Sequence, residues 1–380
     1  MKSQKRVLTL KRGKERVVAN RHPWIFAGAI HTERGPEDAA IADLVDEEGV
    51  RLASGFFSKR SQIRLRALTF GDEDVTPELI ASRIRSAIAR RARVLNDATN
   101  CARLVNAEGD ELSGLVVDRY DDLHVVEIAN RGVEQFKPLI IETLNASRVH
   151  FRNDLPVRGI EELPTEEDLV EPAEVRENGL RFRVDVATGQ KTGFFLDQRD
   201  NRALARSLAN EKRVLNLFSY TGAFGVYAAA GGAASVENVD VSQRAIDLAR
   251  ANHELNGLDA TFTVADAFQF VRQRRDIFDL VICDPPAFAK SRGDVERAAR
   301  GYKDINLHAM RMVAPGGHLM TFSCSGHVSL DLFQKIIFAA ALDAKRQVSF
   351  VRRLTAGEDH PVSIHCPEGE YLKGFLLEVR

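Results

Sequence analysis

The chain has 380 residues, 44% of them hydrophobic, with 53 Lys and Arg against 54 Asp and Glu for a formal net charge of −1. That length allows two or three domains with ordinary cores, and the charge balance excludes a uniformly basic protein while leaving room for local basic faces. Four widely spaced cysteines form neither a metal-ligand pattern nor a disulfide framework, no stretch approaches membrane-spanning length, and the start Met-Lys-Ser-Gln-Lys-Arg lacks the apolar run of a signal peptide; the expectation is a cytoplasmic protein with no membrane partner and no metal.

Residues 1–74 read as a small β-rich domain, with strand candidates at 7–10, 16–19, 42–45, 52–57 and 63–67 separated by Gly and charged turns. Lys2, Lys5, Arg6, Lys11, Arg12, Lys14, Arg16 and Arg21 face one acid, Glu15, in the first stretch; Lys59, Arg60, Arg64 and Arg66 form a second basic cluster. Trp24, Phe26, Phe56 and Phe57 lie close by in sequence. Basic side chains neutralise phosphates and aromatic ones stack on bases. Each aromatic taken singly reads as core, but the clusters together point to nucleic acid, with Lys11, Arg12, Lys14, Arg21, Lys59 and Arg60 as the candidate contacts.

Residues 75–185 read as a central α+β domain. Thr76 and Pro77 open a helix as cap and first-turn residue. Ile80, Ile84 and Ile88 give it one inward face, while Arg83, Arg85, Arg90, Arg91 and Arg93 read as a solvated spacer or as a wall of an anionic groove, the groove being favoured by the two other basic clusters. Strands are expected at 103–105, 114–118, 124–129 and 149–153, with a helix at 136–144. The acidic run holding Glu161, Glu162, Glu166, Glu167, Asp168, Glu171 and Glu174 reads as an exposed connection without chemistry. Asn178-Gly179 is a hairpin turn.

Residues 186–380 alternate strand and helix. A Gly- and charge-rich segment, 188–202, enters a helix near Asp197 and reads either as a flap over a ligand or as a hinge. Residues 214–217 form a strand, 223–230 a small-residue helix stopped by Gly231 and Gly232, and 234–239 a second strand ending at Asp240. The acid follows the first strand's end by about 20 residues, the span at which a βαβ unit takes a ribose. The intervening turn, Phe218-Ser-Tyr-Thr-Gly, lacks the glycines that a dinucleotide's pyrophosphate needs, so it suits an adenosine ligand without phosphate. A helix capped by Ser242 runs to 256; strands at 261–264, 278–283 and 318–322 follow, with helices at 302–313 and 330–341, a turn at Pro315-Gly-Gly and terminal strands at 348–353 and 374–379. Asp240, Asp266 and Asp284 thus end successive strands, which face one crevice in an open parallel sheet.

Two prolines after Asp284 hold the chain extended and leave carbonyls open to a flat polar ligand edge. Cys324, set between Ser323 and Ser325 in a turn at the same sheet edge, differs from Cys101, Cys283 and Cys366, which read as small buried hydrophobes. A thiol there can act as a nucleophile. Beside an adenosine-type cofactor, such a thiol meets a specific need: adding at carbon 6 of a pyrimidine, it makes carbon 5 nucleophilic enough to accept a methyl group.

Asn-Leu-Phe-Ser-Tyr-Thr-Gly (216–222), Val-Asp-Val-Ser (239–242), Asp-Pro-Pro-Ala-Phe (284–288) and Ser-Cys-Ser (323–325) resemble the class I S-adenosylmethionine-dependent RNA methyltransferases. The chain is most similar to the large-subunit ribosomal RNA cytosine-5 enzymes with an N-terminal PUA domain. Arg-His-Pro-Trp-Ile-Phe (21–26), the segment 104–120, Asp-His-Pro-Val (359–362) and Glu-Tyr-Leu-Lys (370–373) extend the resemblance over the whole chain. Ser113 stands where the family has Pro. Ala287 stands where related cytosine enzymes carry a second cysteine.

The resemblance implies an α/β fold: a C-terminal Rossmann-like seven-stranded methyltransferase sheet (186–380), a PUA-like domain (1–74) and a central domain (75–185). It implies S-adenosylmethionine as cofactor, RNA as partner, Cys324 as nucleophile and Asp284 as the residue orienting the cytosine edge. Asp240 would hold the ribose, Asp266 the adenine amine, and Phe218, Ser219, Tyr220, Thr221 and Gly222 the methionine end; Val241, Ala267, Gln198 and Asp284 complete the cofactor set. Methylation of a base amine or of uracil carbon 5, and a catalytically silent RNA-binding protein, are the alternatives. The oligomeric state is open, a homodimer included.

Overall fold

A computed structural model describes residues 5–154, 156–165 and 170–380. Contacts group the chain into two units: Met1–Val175 with Val184–Phe194 and Glu358–Gly369, and Arg176–Arg183 with Phe195–Gly357 and Glu370–Arg380.

The first unit contains two sheets. Six strands, β1 (Arg6–Leu10), β2 (Trp24–Phe26), β3 (Ile30–Arg34), β4 (Ile41–Val45), β5 (Arg51–Phe57) and β6 (Ile63–Phe70), lie in the order β2-β6-β5-β4-β1-β3. Their core is built from Leu8, Ile25, Leu44, Phe57 and Leu65. Residues 16–19, expected as a strand, form one helical turn, Arg16–Ala19, in which Val18 N and Ala19 N donate to Glu15 O at 3.1 and 3.0 Å. Val17 and Val18 reach the core from that turn without strand pairing. Strands β2 and β3 carry too little apolar alternation to announce themselves.

Four further strands, β7 (Cys101–Asn106), β8 (Leu115–Tyr120), β9 (Leu123–Ile128) and β10 (Arg148–Phe151), are ordered β10-β9-β8-β7. The helix Pro77–Arg90 packs Ile80 and Ile84 into their core, and Thr76 caps it by accepting from Leu79 N. Its arginines are divided: Arg83 and Arg91 turn inward, while Arg85, Arg90 and Arg93 remain exposed. Arg91 is buried in a bidentate pair with Asp110 at 2.7 and 2.6 Å, and Arg90 joins the same carboxylate. Arg83 donates to Leu68 O and Glu111 O, and Arg85 pairs with Glu78. Glu161 also departs from expectation: it is 4% exposed and faces Arg66 at 3.6 Å, a buried partner for a buried cation. Lys2, Glu166, Glu167 and Asp168 lie outside the described residues.

Asn178 and Gly179, with φ of 50° and 80°, form the turn between β11 (Ala173–Glu177) and β12 (Leu180–Val184), as a two-residue hairpin requires. The segment 188–202 is divided between the units after Phe194.

The second unit holds a seven-stranded sheet: β13 (Arg213–Leu217), β14 (Ser235–Asp240), β15 (Thr261–Val264), β16 (Phe278–Cys283), β17 (Val313–Ser323), β18 (Val348–Leu354) and β19 (Lys373–Val379), ordered β15-β14-β13-β16-β17-β19-β18. The first five in that order are parallel; β19 is antiparallel to both neighbours. Helices Ala267–Gln273, Val295–Arg311 and Leu330–Ala344 cover one face, Arg199–Leu208 and Ala223–Ala230 the other. Pro315-Gly-Gly does not end a helix loop but bulges within β17: the ladder to β16 skips from Val313 to His318, with Gly316 at φ 79°. From β13 the chain winds outward to β15 and then returns to β16. The switch point therefore lies between β13 and β16, and ligands bind beyond the strands' carboxyl ends there.

Candidate functional site at the carboxyl ends of the parallel strands

Behind the turn after β13 lies a buried polar chain. Asn216 Nδ2 donates to Asn238 Oδ1 at 2.9 Å, and Asn238 Nδ2 meets His253 Nε2 at 3.2 Å. Burial pushes His253 down to about 4, so it is neutral and accepts from the amide. Asn252 Nδ2 holds Thr221 O at 3.0 Å. Over this support the turn coils tightly: Phe218, Tyr220 and Gly222 have φ of 55°, 45° and 73°. Left-handed bulky residues cost on the order of 1–3 kcal/mol each and mark functional sites. A Cβ on Gly222 would sit 2.7 Å from Ala249 Cβ, so only glycine lets the turn approach helix Gln243–Leu255.

Asp240 takes the turn's N–H groups: Oδ2 accepts from Tyr220 N and Oδ1 from Ser242 N, both at 2.9 Å. Each oxygen keeps a lone pair for a further donor. Val241 beside it is 70% exposed, an apolar surface left open at a polar strand end. Asp266 Oδ1 caps helix Ala267–Gln273 through Gln269 N at 2.9 Å, and Ala267 is buried behind it. Phe218, Phe268 and Phe288 follow one another with ring centroids 6.2 and 5.8 Å apart. Ser219 Oγ is buried and finds no partner among the described residues. A cradle with an orphan hydroxyl, an acid with spare lone pairs and aromatic and apolar walls fits an adenosine with a polar amino-acid arm and no phosphate.

The strands on the other side of the switch point bring two more predicted residues together. Cys324 Sγ donates to Asp284 Oδ1 at 3.8 Å. Asp284 Oδ2 accepts from Gln198 Nε2 at 2.8 Å, and Gln198 Oε1 accepts from Asn201 Nδ2 at 2.6 Å. Asn201 also holds Thr355 O at 3.0 Å, which fixes which way the Gln198 amide points. Gln198, a cofactor candidate by sequence, thus commits its amide to Asp284. Cys101, Cys283 and Cys366 are buried and Cys324 is partly exposed. Burial pushes the Cys283 thiol far above its ordinary range and that of Cys366 up to about 12.

Other residues of this wall were not legible from spacing. Ser325 Oγ meets Tyr302 OH at 2.9 Å and accepts from Ala289 N at 3.2 Å. Lys373 Nζ donates to Ser325 O at 2.9 Å. Within Glu-Tyr-Leu-Lys only the family resemblance drew notice to that lysine.

In the first unit, Lys11, Arg12, Lys14 and Arg21 are exposed; Lys11 Nζ reaches Gly28 O at 2.9 Å and Arg21 lies over the Phe70 ring at 5.2 Å. Arg12 and Lys14 carry no ion pair among the described residues. Lys59 and Arg60, by contrast, are paired with Glu37 and Glu162. His22, Cys366 and Glu368 bring ligand-type atoms within 4.8 Å of one another. His22 Nδ1, however, accepts the Trp24 N–H at 3.0 Å, so Nε2 carries the proton and gives it to Glu368 rather than binding an ion.

Residues 150–368 match the family model described as S-adenosylmethionine-dependent methyltransferase, and residues 8–70 match a PUA-like domain. A protein of Shewanella denitrificans named ribosomal RNA large subunit methyltransferase I is 43% identical over 98% of this chain and 99% of its own. One of the same name from Photobacterium profundum is also 43% identical, over 98% of each chain. A methyltransferase structure complexed with S-adenosylhomocysteine superposes with a TM-score of 0.83 at 23% identity, covering 98% of this chain and 99% of that one, which shows the shared fold.

Proposed function

This chain belongs to the S-adenosylmethionine-dependent methyltransferase family, and on that premise we propose that it methylates carbon 5 of a cytosine in large-subunit ribosomal RNA, with Cys324 as nucleophile. The observation that carries the reading is the 3.8 Å contact between the Cys324 thiol and Asp284 at the ends of adjacent parallel strands. A base-amine methyltransferase has no use for a thiol beside its acid.

The cofactor supplies an electrophilic methyl group on a sulfonium. Asp240 takes the ribose hydroxyls on its spare lone pairs, Val241 and Ala267 flank the adenine, Asp266 accepts its amine, and the turn Phe218, Ser219, Tyr220, Thr221 and Gly222 receives the amino-acid end. Gln198 and Asp284 close the set from the methyl side.

Gln198 supplies N–H to Asp284 and so favours its carboxylate form. A carboxylate accepts the 4-amino group of cytosine and repels the carbonyl that uracil presents there, which favours cytosine. Asp284 Oδ1 takes the thiol proton and passes it to ring N3 as the sulfur bonds to carbon 6. Electron density moves to carbon 5, which would take the methyl as the methyl–sulfonium bond breaks and its electron pair stays on the departing neutral thioether. Loss of the carbon-5 proton to solvent then restores the ring double bond and expels the sulfur as thiolate, and N3 returns its proton to Asp284. Ala287 offers no second thiol for this release.

Residues 1–74 grip RNA through Lys11, Arg12, Lys14 and Arg21, with Lys59 and Arg60 entering once released from Glu37 and Glu162. Residues 75–185 form the central domain and 186–380 the catalytic one. The test is to map methylated bases in ribosomal RNA from cells with and without the protein. A 5-methylcytosine in large-subunit RNA that disappears with the gene is expected; a lost methyl on a base amine or on uracil would refute the cytosine assignment, and no lost methyl would favour a silent binding protein.

A further inference from the structure

Lys373 pairs with Ser323 across β19 and β17, and its ammonium donates to Ser325 O, so it spans the turn from one side of Cys324 to the other. It is 4% exposed, and no carboxylate lies within ion-pair distance of it among the described residues. A buried ammonium with one carbonyl partner is costly unless a negative charge answers it. Among the described residues, the charged and titratable groups around the turn include Asp284 beyond β16, Tyr302 on the helix Val295–Arg311, His327 exposed within the turn, and Lys373 with Glu370 just before β19. Asp284 disfavours a sulfur anion and Tyr302 is buried and neutral. Lys373 is the buried cation among them.

We propose that Lys373 is a positioning residue for methyl transfer: its buried ammonium is the counter-charge that stabilises the Cys324 thiolate, at the moment of attack and again when the sulfur is expelled. Burial lowers the lysine's own proton affinity, and the Cys324 charge, followed by that of Glu370, raises it; the Cys324 part is the reciprocal of the attraction proposed. The inference rests on Cys324 being the nucleophile, but its test does not require RNA.

The full-length protein is treated with iodoacetamide across a pH series, and modification of the Cys324 peptide is followed by mass spectrometry. The wild-type midpoint is expected below the ordinary free-thiol value of about 8.5. Lys373→Met should raise it by about one pH unit or more, slowing modification near neutrality by about tenfold, while Lys373→Arg keeps it low. In turnover, the acid limb of the Lys373→Met profile should move up by the same amount with KM for RNA unchanged. A lysine that only pins the Ser325 carbonyl would change thermal stability and leave the thiol titration where it was. An unchanged midpoint in folded Lys373→Met overturns the proposal. If that variant does not fold, a wild-type midpoint at or above the free-thiol value overturns it equally. Failure to methylate cytosine would leave the thiol titration standing, so the two readings fail separately.

Discussion

In the proposed site, Asp240 is one side chain given both a structural task and a ligand. Its two oxygens gather Tyr220 N and Ser242 N, which sets the strained turn, and each retains a lone pair. Asp240→Ala removes the proposed ribose acceptor and should weaken S-adenosylmethionine binding by roughly 1–3 kcal/mol, the cost of leaving hydroxyls unpaired. Calorimetry on a variant with wild-type circular dichroism measures this; undiminished affinity would move the ribose elsewhere. Cys324 and Asp284 were legible as strand-end residues, because Ser-Cys-Ser and Asp-Pro-Pro each follow an apolar run. Their contact, and the Asn201–Gln198 brace behind it, were not, since 40 positions separate the first pair and side-chain direction decides the second.

Among elements, β13, β14 and the helix Gln243–Leu255 are tied by the Asn216–Asn238–His253 chain. His253 is neutral when folded, its affinity for protons reduced by burial from about 6.5 to about 4. Above both values the ring is neutral in either state and costs nothing. As pH falls through the upper value the unfolded chain gains a proton that the folded one refuses, so stability is lost between about 6.5 and 4. Urea unfolding should show about 2 kcal/mol less contribution from this site at pH 5 than at pH 7. His253→Gln should lose correspondingly less than wild type over that interval, and parallel losses would contradict the assignment. Element boundaries were most legible where turn residues punctuate them: Ala223–Ala230, Thr261–Val264 and Phe278–Cys283 match their sequence readings. They failed where packing outweighed local pattern. Residues 16–19 look β-branched yet form a turn of helix, Val295–Arg311 begins before its apolar face is evident, and Pro315-Gly-Gly is absorbed as a bulge.

On the scale of the whole molecule, a net charge of −1 conceals two basic segments whose cations differ in availability. Arg12 and Lys14 are exposed without ion pairs among the described residues, while Lys59 and Arg60 are occupied by acids. RNA affinity should fall steeply with salt, and replacing Lys11, Arg12 and Lys14 together should flatten that slope by roughly 2–3 phosphates' worth without changing cofactor affinity. Replacing Lys59 and Arg60 should flatten it less, because releasing Glu37 and Glu162 offsets part of the gain. Equal salt slopes in wild type and the triple variant would place the RNA on another surface.

The covalent step is tested most directly by RNA carrying 5-fluorocytosine at the methylated position. Fluorine at carbon 5 does not leave as a proton does, so the methylated base stays bonded to sulfur. With S-adenosylmethionine present, wild type should give a slow protein–RNA band on a denaturing gel whose cross-linked peptide contains Cys324. Cys324→Ala should give no band and no methyl transfer while binding the cofactor normally, and Cys283→Ala should behave as wild type. A band that persists without Cys324, or methylation of cytosine by Cys324→Ala, would contradict the nucleophile and return Cys324 to a structural role.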